Sequence, residues 1–340
     1  MGAVLSLCLG SGETVVINKH TLTIKQVLGE GGFSVVYLAE DNLTSRLYAL
    51  KRMTCHDDEQ QRDSMREVEL YRMFDHENLM RVVDSAILPS RTNPNSHVKD
   101  LYVMLPYYPR GTLQDRIEAV KAHGSQFSER EILSVFRGIC LGVKALHQYT
   151  PPMRNNRMPY AHRDLKPGNV LLADHAESGA PFARSASASV PAGMADTPLD
   201  RLTPILMDFG SMAPARVKIT SRLEALQLQD LAAEKCTMPY RAPELFDVPS
   251  DTTIDERVDI WALGCILYSL MYLQSPFESA ANEQGGSIAL AVISGRVNFL
   301  PQFNHSASLQ NLVKFMLVVS HEARPHIDQV IEEIDAISSR

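Results

Sequence analysis

The sequence predicts an α+β protein in which a small β-rich half is followed by a larger α-rich half. Three observations carry that expectation. Between about Thr14 and Tyr108, short runs rich in β-branched and aromatic residues recur, such as Ser34-Val35-Val36-Tyr37-Leu38-Ala39 and Leu47-Tyr48-Ala49-Leu50. After Gly111 apolar residues recur with helical spacing instead. The 340 residues, 45% of them hydrophobic, are enough for two such halves around a sizeable core.

One amphipathic helix interrupts the strand-rich half. It runs from about Asp58 to Phe74, with Met65, Val68 and Tyr71 spaced by three. The acidic cluster Asp57-Asp58-Glu59 suits the positive end of its dipole. In the second half, Glu129 to Gln148 reads as a long helix and Asp259 to Tyr272 as a buried one. Leu309 to Ser320 and Ile327 to Ile337 read as later surface helices. Thr150 to Pro159 is a loop by its Pro and Asn content. Asp174 to Thr203, rich in Ala, Ser, Pro and Gly, reads as a flexible excursion, with Ser185, Ser187 and Ser189 in a passive loop. No internal repeat is present.

Composition narrows the function classes. A formal net charge of −7 argues against a general nucleic-acid partner, because phosphate backbones select basic surfaces. The five cysteines are scattered, odd in number and never spaced Cys-x-x-Cys, which suggests neither a disulfide framework nor a zinc site. A reducing compartment fits them best. The apolar stretch at the N-terminus is short and has no basic flank, so it is a poor secretory signal. Met1-Gly2-Ala3-Val4-Leu5-Ser6 does match the pattern for myristoylation of Gly2. A single myristoyl chain anchors only marginally, and Cys8 is well placed for a palmitoyl chain as the second signal.

The motifs point to phosphate chemistry. Gly29-Glu30-Gly31-Gly32-Phe33-Ser34-Val35-Val36 lies between two predicted strands. Glycines there let backbone N–H groups approach phosphates without a Cβ in the way. A strand follows, not a helix, which argues against a dinucleotide fold, and no Gly-Lys-Ser/Thr ending makes a Walker loop. Lys51 ends the apolar run Tyr48-Ala49-Leu50, 22 residues after Gly29. In a phosphate cleft it needs a carboxylate partner, and Glu67 and Glu69 are the candidates. The strongest signal is His162-Arg163-Asp164-Leu165-Lys166-Pro167-Gly168-Asn169, which offers a carboxylate, an ammonium and an amide within six residues. Phosphoryl transfer to a hydroxyl requires those three groups. Asp208, in Met207-Asp208-Phe209-Gly210, adds a second carboxylate after another apolar run. Oxygen ligands at the ends of paired strands suit Mg²⁺. Thr237-Met238-Pro239-Tyr240-Arg241-Ala242-Pro243-Glu244 completes the series.

These motifs, in this order, resemble the eukaryotic protein kinase catalytic domain over roughly Thr21 to Ile337. The resemblance implies a bilobal protein kinase fold: an N-lobe over about 21–105, a hinge at 106–111 and a C-lobe over 112–337, preceded by a lipid-anchored tail at 1–20. It implies ATP and Mg²⁺, with Mn²⁺ as a substitute, as cofactors, and protein substrates as partners. Gly29, Gly31 and Ser34 would lie over the ATP phosphates, Leu28, Glu30, Gly32 and Phe33 would also belong to the ATP-binding set, and Lys51 would bind the α- and β-phosphates. Glu67, nine residues before His76, is the partner that the family spacing favours for Lys51. Asp164 would orient the substrate hydroxyl, Lys166 would steady the transferring group, and Asn169 and Asp208 would hold the metal. Leu105 falls at the gatekeeper position. Pro106 and Tyr108 would present hinge backbone groups to adenine, which Val36, Ala49 and Leu171 would sandwich. The Asp-Leu-Lys-Pro form with Thr237 resembles serine/threonine kinases. Arg163 would face a phosphorylated activation segment, with Thr220, Ser221 and Thr237 as candidate acceptors. Glu244 would pair with Arg324, and Asp259 and Trp261 would be scaffold.

A nearer likeness is to the Numb-associated kinase family, whose Gly-rich loop has the form Gly-Glu-Gly-Gly-Phe-Ser. Within it, Met1-Gly2 with Cys8, Arg110-Gly111-Thr112-Leu113 and Gly210-Ser211-Met212 resemble its myristoylated and palmitoylated serine/threonine kinases. So does an activation segment of 37 residues, Asp208 to Glu244, with a helix-like stretch from Ser221 to Lys235. This implies a membrane-associated, autophosphorylating enzyme at the cytoplasmic face of the Golgi, another endomembrane or the plasma membrane, with a cytoplasmic pool. Two departures stand out: the long Asp164-to-Asp208 separation of 44 residues and the Thr150–Pro159 insert. Two other classes compete. A pseudokinase scaffold would bind partners at membranes without catalysis, yet every expected catalytic residue is present. A small-molecule kinase would not need the Thr237–Glu244 shelf. No oligomeric state is indicated.

Overall fold

The computed structural model describes residues 10–31, 34–91, 97–152, 156–175, 197–278 and 286–339. Gly2, Cys8, Gly32 and Phe33 lie outside them, as does most of the Asp174–Thr203 stretch. The chain divides between Pro109 and Arg110 into two compact units.

The first unit is a six-stranded antiparallel sheet in the order β1-β2-β3-β4-β6-β5. Its strands are β1 (Thr14–Ile17), β2 (His20–Glu30), β3 (Ser34–Asp41), β4 (Leu47–Cys55), β5 (Asp84–Pro89) and β6 (Lys99–Pro106). Side chains alternate across a strand, and burial follows the alternation. Val35, Tyr37, Ala39, Tyr48, Leu50, Tyr102 and Met104 join Val15, Ile17, Leu22 and Ile24 in a single buried cluster. Their neighbours in sequence, Val36, Ala49, Lys51 and Leu105, therefore fall on the opposite face. Register places Val36 across from Lys51, and Ala49 across from Leu105. Lys51 was expected at a strand end. β4 continues four residues past it to Cys55, so Lys51 is a mid-strand residue fixed on both sides by neighbours.

Helix α1 (Asp58–Met73) starts where the acidic cluster predicted. Asp57 is its N-cap and accepts from the Gln60 N–H at 2.8 Å, while Asp58 and Glu59 occupy the first turn.

The second unit is mostly helical. Its early helices are α2 (Leu113–Ala122) and α3 (Glu129–His147), each opened by a capping box, Thr112 with Asp115 and Ser128 with Glu131. Short antiparallel pairs follow: β7 (Tyr160–Ala161) with β10 (Ala213–Pro214), β8 (Val170–Asp174) with β9 (Leu202–Leu206), and β11 (Val217–Ile219) with β12 (Thr252–Ile254). α4 (Arg222–Lys235) precedes the buried α5 (Arg257–Tyr272), and α6 (Ile288–Ser294), α7 (Ala307–Met316) and α8 (Ile327–Ser338) complete the unit. Every residue of α5 from Val258 to Tyr272 is buried, as expected of a helix that is apolar all round. Among the described residues no helix is long and apolar enough to cross a membrane.

Two expected boundaries change. The Asp174–Thr203 stretch, predicted to be flexible throughout, is fixed from Thr197 onward. Arg116 holds the Thr197 carbonyl at 2.8 Å, the Leu199 N–H donates to Glu131 Oε1 at 3.1 Å, and Leu202 pairs with Asp174. Composition hid this, because the ordering partners lie on α2 and α3. The helix expected to reach Ser320 ends at Met316, since Leu317 leaves helical geometry with its N–H on the Val313 carbonyl.

Glu244 and Arg324 meet as a buried bidentate pair, Nη1 to Oε1 at 2.8 Å and Nη2 to Oε2 at 2.9 Å. Arg324 also donates to the Val318 and Arg257 carbonyls and lies 5.2 Å from the Trp261 ring. Removing the carboxylate leaves a guanidinium buried without its counter-charge. Glu244→Ala is therefore expected to lower the unfolding free energy by about 3–5 kcal/mol, read as a lower denaturation midpoint.

Candidate active site

In the first unit the centre is Lys51. Its ammonium donates to both oxygens of Glu67, at 2.8 and 3.0 Å. Glu67 is buried on the inner face of α1 and also accepts from the Tyr71 hydroxyl at 3.1 Å. Glu69, the other candidate, points to solvent. Helical spacing decides between them, since residues two apart lie on different faces. Val36, Ala49 and Leu105 share Lys51's face of the sheet as half-buried or buried apolar groups. Pro106 ends β6 opposite Tyr48, and Tyr108 follows it half-buried. Leu28, Gly29, Glu30 and Gly31 are exposed, and the Gly31 N–H closes onto the Ser34 carbonyl at 2.7 Å. No protein atom lies within 4 Å of where a Cβ on Gly29 would stand. The space that the missing side chain keeps open thus faces solvent.

In the second unit the centre is Asp164. Its Oδ1 accepts from the Thr237 hydroxyl at 2.6 Å and the Thr237 N–H at 2.8 Å. Its Oδ2 accepts from the Lys166 ammonium at 2.9 Å and the Asn169 amide at 3.0 Å. Lys166 also donates to the Thr237 hydroxyl oxygen at 2.7 Å. Burial alone would raise the Asp164 carboxyl, but the Thr237 hydroxyl and the Lys166 ammonium outweigh it and hold the group below its ordinary range. The carboxylate is ionised and its orientation is fixed.

The loop that carries Asp164 hangs from one buried carboxylate. Asp259, on the first turn of α5, accepts from the His162 N–H at 2.8 Å, the Arg163 N–H at 2.9 Å and His147 Nε2 at 2.9 Å. Burial opposes ionisation of Asp259, yet His147 first, then the charge of His162 and the Arg163 N–H, keep its carboxyl low. Arg163 adopts the left-handed backbone region at φ 68°, a conformation that costs energy outside glycine. Two consecutive N–H groups must turn toward one carboxylate, and that strained residue provides the turn. The Arg163 guanidinium donates to the Pro214 carbonyl at 3.0 Å. No sequence signal linked His147 to this network, because it lies 112 residues from Asp259.

Asn169 and Asp208 sit at the same end of the β8–β9 hairpin. Val170 pairs with Leu206, and the Met207 N–H donates to the Asn169 carbonyl at 3.0 Å. Leu171 is half-buried on β8 opposite Ile205. Asp208 has φ 66°, and Phe209 is fully buried, edge-on to His162 at 5.9 Å. The Asn169 amide nitrogen donates to the Asp164 carbonyl and carboxylate, at 2.8 and 3.0 Å. Its amide oxygen is thereby the side left to face a cation.

On the activation segment, Ser221 is the N-cap of α4. Its hydroxyl accepts from the Glu224 N–H, and Glu224 in turn accepts from Thr220 N–H and hydroxyl and from the Ser221 N–H. The Ser-x-x-Glu spacing was present in the sequence as a capping box. Thr237, expected as an acceptor of phosphate, is instead engaged with Asp164.

Comparison with known proteins agrees with this geometry. The protein kinase domain model matches residues 22–334. The chain belongs to the protein kinase family. It is 37% identical to a probable serine/threonine-protein kinase of Dictyostelium discoideum, covering 99% of both chains. It is 36% identical to serine/threonine-protein kinase 16 of Homo sapiens, over 98% of this chain and 95% of that one. The serine/threonine-protein kinase ENV7 of Saccharomyces cerevisiae is 30% identical over 96% and 95% of the two chains. This kinase is a serine/threonine protein kinase, and its family implies use of ATP and a divalent metal. The donor chemistry at the hairpin end fits such an ion: two hard oxygen donors, one amide and one carboxylate.

Thr237 generates a test. Replacing it with Val removes the hydroxyl that helps fix and ionise Asp164. Thr237→Val is expected to lower kcat by about a hundredfold through misplacement. Because the wild-type carboxyl is depressed, any activity it controls is lost only as pH falls through that low value. In Thr237→Val the acid limb of the pH–rate profile should move upward, toward the ordinary carboxylate value of about 3.9.

Proposed function

We propose that this serine/threonine kinase works on the cytoplasmic face of a membrane, anchored by a myristoyl group on Gly2 and a palmitoyl group on Cys8. It uses Mg²⁺ with ATP, autophosphorylates, and belongs to the Numb-associated branch. The observation that carries the catalytic part is the Asp164–Lys166–Thr237 network, in which one ionised carboxylate and one ammonium converge on a single hydroxyl. The Thr237 hydroxyl, bonded to both groups at once, supports that reading. A substrate Ser or Thr hydroxyl brought to the same pair would lose its proton toward Asp164 as the phosphoryl group arrives, while Lys166 balances the growing charge.

The other roles follow from chemistry and placement. Lys51, held by Glu67, presents its ammonium to phosphate oxygens. The Gly-rich loop that carries Gly29, Gly31 and Ser34 would cover those phosphates. In the first unit Val36, Ala49 and Leu105 supply apolar surface for a base, and Pro106 and Tyr108 supply backbone groups. Asn169 and Asp208 would hold Mg²⁺, which when bound neutralises phosphate charge. Thr220 and Ser221 are exposed on the activation segment and accessible to a second kinase molecule. Serines and threonines are therefore available for autophosphorylation, although Glu224 already supplies an anion at this helix N-terminus.

Wild-type kinase with ATP and Mg²⁺ is expected to yield phosphoserine and phosphothreonine on protein. Asp208→Asn and Lys51→Met should each lower kcat by at least about 10²–10³-fold with folding intact by circular dichroism. Equal turnover in the wild type and Asp208→Asn would remove Asp208 from the metal site. Separately, Gly2→Ala should move the protein from the membrane fraction to the soluble fraction, and retention would refute the anchor.

A further inference from the structure

The described chain starts at Gly10, and it starts fixed. The Gly10 N–H donates to Glu13 Oε1 at 3.0 Å, and the Glu13 N–H returns to the Gly10 carbonyl at 3.2 Å. Gly12 and Glu13 then bond to both backbone groups of Ile24, each at 2.8 Å. Arg91 closes the other side on the Thr14 carbonyl at 2.6 Å. Cys8 lies two residues before Gly10. Two residues span at most about 7 Å. An acyl chain on Cys8 would therefore hold the β1–β2 hairpin within about one headgroup layer of the bilayer.

A second observation selects the face. β1 and β2 bury Val15, Ile17, Leu22 and Ile24, so Thr14, Val16, Thr21 and Thr23 project outward. Val16 is 54% exposed on this face. The β3–β4 turn joins it, since the Asn42 N–H donates to the Thr21 carbonyl at 2.9 Å and the Thr23 hydroxyl to Asn42 at 2.7 Å. At the turn's tip Leu43 is 90% exposed. It is not loose, because Asp41 accepts from the N–H groups of Leu43 and Thr44 at 3.0 and 2.9 Å and from His20 at 2.8 Å. Lys19 is exposed beside the face, and Lys25, also exposed, is paired with Glu40 at 2.6 Å.

We infer that the outward face of the β1–β2 hairpin, with Leu43 as its inserted tip, is a membrane-contact surface that lies flat on a phospholipid bilayer. This rests on the anchoring proposed above. Leu43 and Val16 enter the boundary between headgroups and acyl chains, and the Thr hydroxyls and Lys ammonium groups stay among the headgroups. The first unit is thereby oriented, not merely tethered.

The test uses the full chain, acylated in cells and recovered on phosphatidylcholine vesicles. One fluorophore is placed at Thr21→Cys and, in a second sample, at Glu59→Cys on α1, beyond the end of β4 that lies away from the β3–β4 turn; the four described cysteines are buried. Lipids carrying a headgroup nitroxide should quench the Thr21 probe and leave the Glu59 probe bright. Leu43→Ser should lower vesicle partitioning about tenfold with Cys8 still acylated by mass spectrometry and kinase activity in solution unchanged. Equal quenching of the two probes on bound, acylated protein would overturn the inference while leaving the anchor standing. Recovery from cells of a chain that carries no acyl group, or equal vesicle binding with and without the acyl groups, would overturn the anchor itself, and this inference with it.

Discussion

The active-site half of the second unit depends on the Asp259 carboxylate. It is fully buried, so its ionisation has to be supported by donors that approach from different parts of the chain. Those donors are the backbone of His162 and Arg163 and the ring of His147. One buried charge on the most apolar helix of the protein thus specifies where the residue before Asp164 turns and which way Asp164 faces. Without it, the strained backbone at Arg163 would have no compensation.

Asp164 then repeats the same logic nearer the surface. A carboxylate surrounded by Thr237, Lys166 and Asn169 is oriented by hydrogen bonds, not by packing. Thr237 reaches it from the far side of a 37-residue activation segment. The position of that segment is therefore felt directly at the catalytic carboxylate. Lys235, at the end of α4, gives its carbonyl to the Ser211 hydroxyl at 2.9 Å, which ties the helix back to the Asp208-Phe209-Gly210 turn. Any partner that displaces α4 acts on both ends of the site through these bonds. In the first unit the Lys51–Glu67 pair is a smaller version of the same device, a cation held at mid-strand by a buried carboxylate one helix away.

Local order could be read directly from the residues. The acidic start of α1, the apolar circumference of α5 and the alternation in β3 and β4 each reflect neighbours within a few positions. The motif residues Lys51, Asp164, Lys166, Asn169 and Asp208 were also legible, because the chemistry they carry needs rare combinations of residue types at short spacing. The choice of Glu67 over Glu69 followed family spacing, and the helix face confirms which of them Lys51 meets. What failed was compositional. The segment after Thr197 resembles the loop before it, yet Arg116 and Glu131 fix it from helices more than sixty residues away. Thr237 read as a candidate acceptor of phosphate, and nothing near it in sequence announces its bonds to Asp164.

The sequence by itself determined which residues can do the chemistry, where helices and strands begin, and to which family the chain is similar, since these rest on residue type and short spacing. Only the tertiary structure decided that His147 joins Asp259 in supporting the catalytic loop and that Thr237 fixes Asp164. The physical reason is separation. Hydrogen bonds and ion pairs between residues 70 to 112 positions apart form only after apolar burial has brought their elements together.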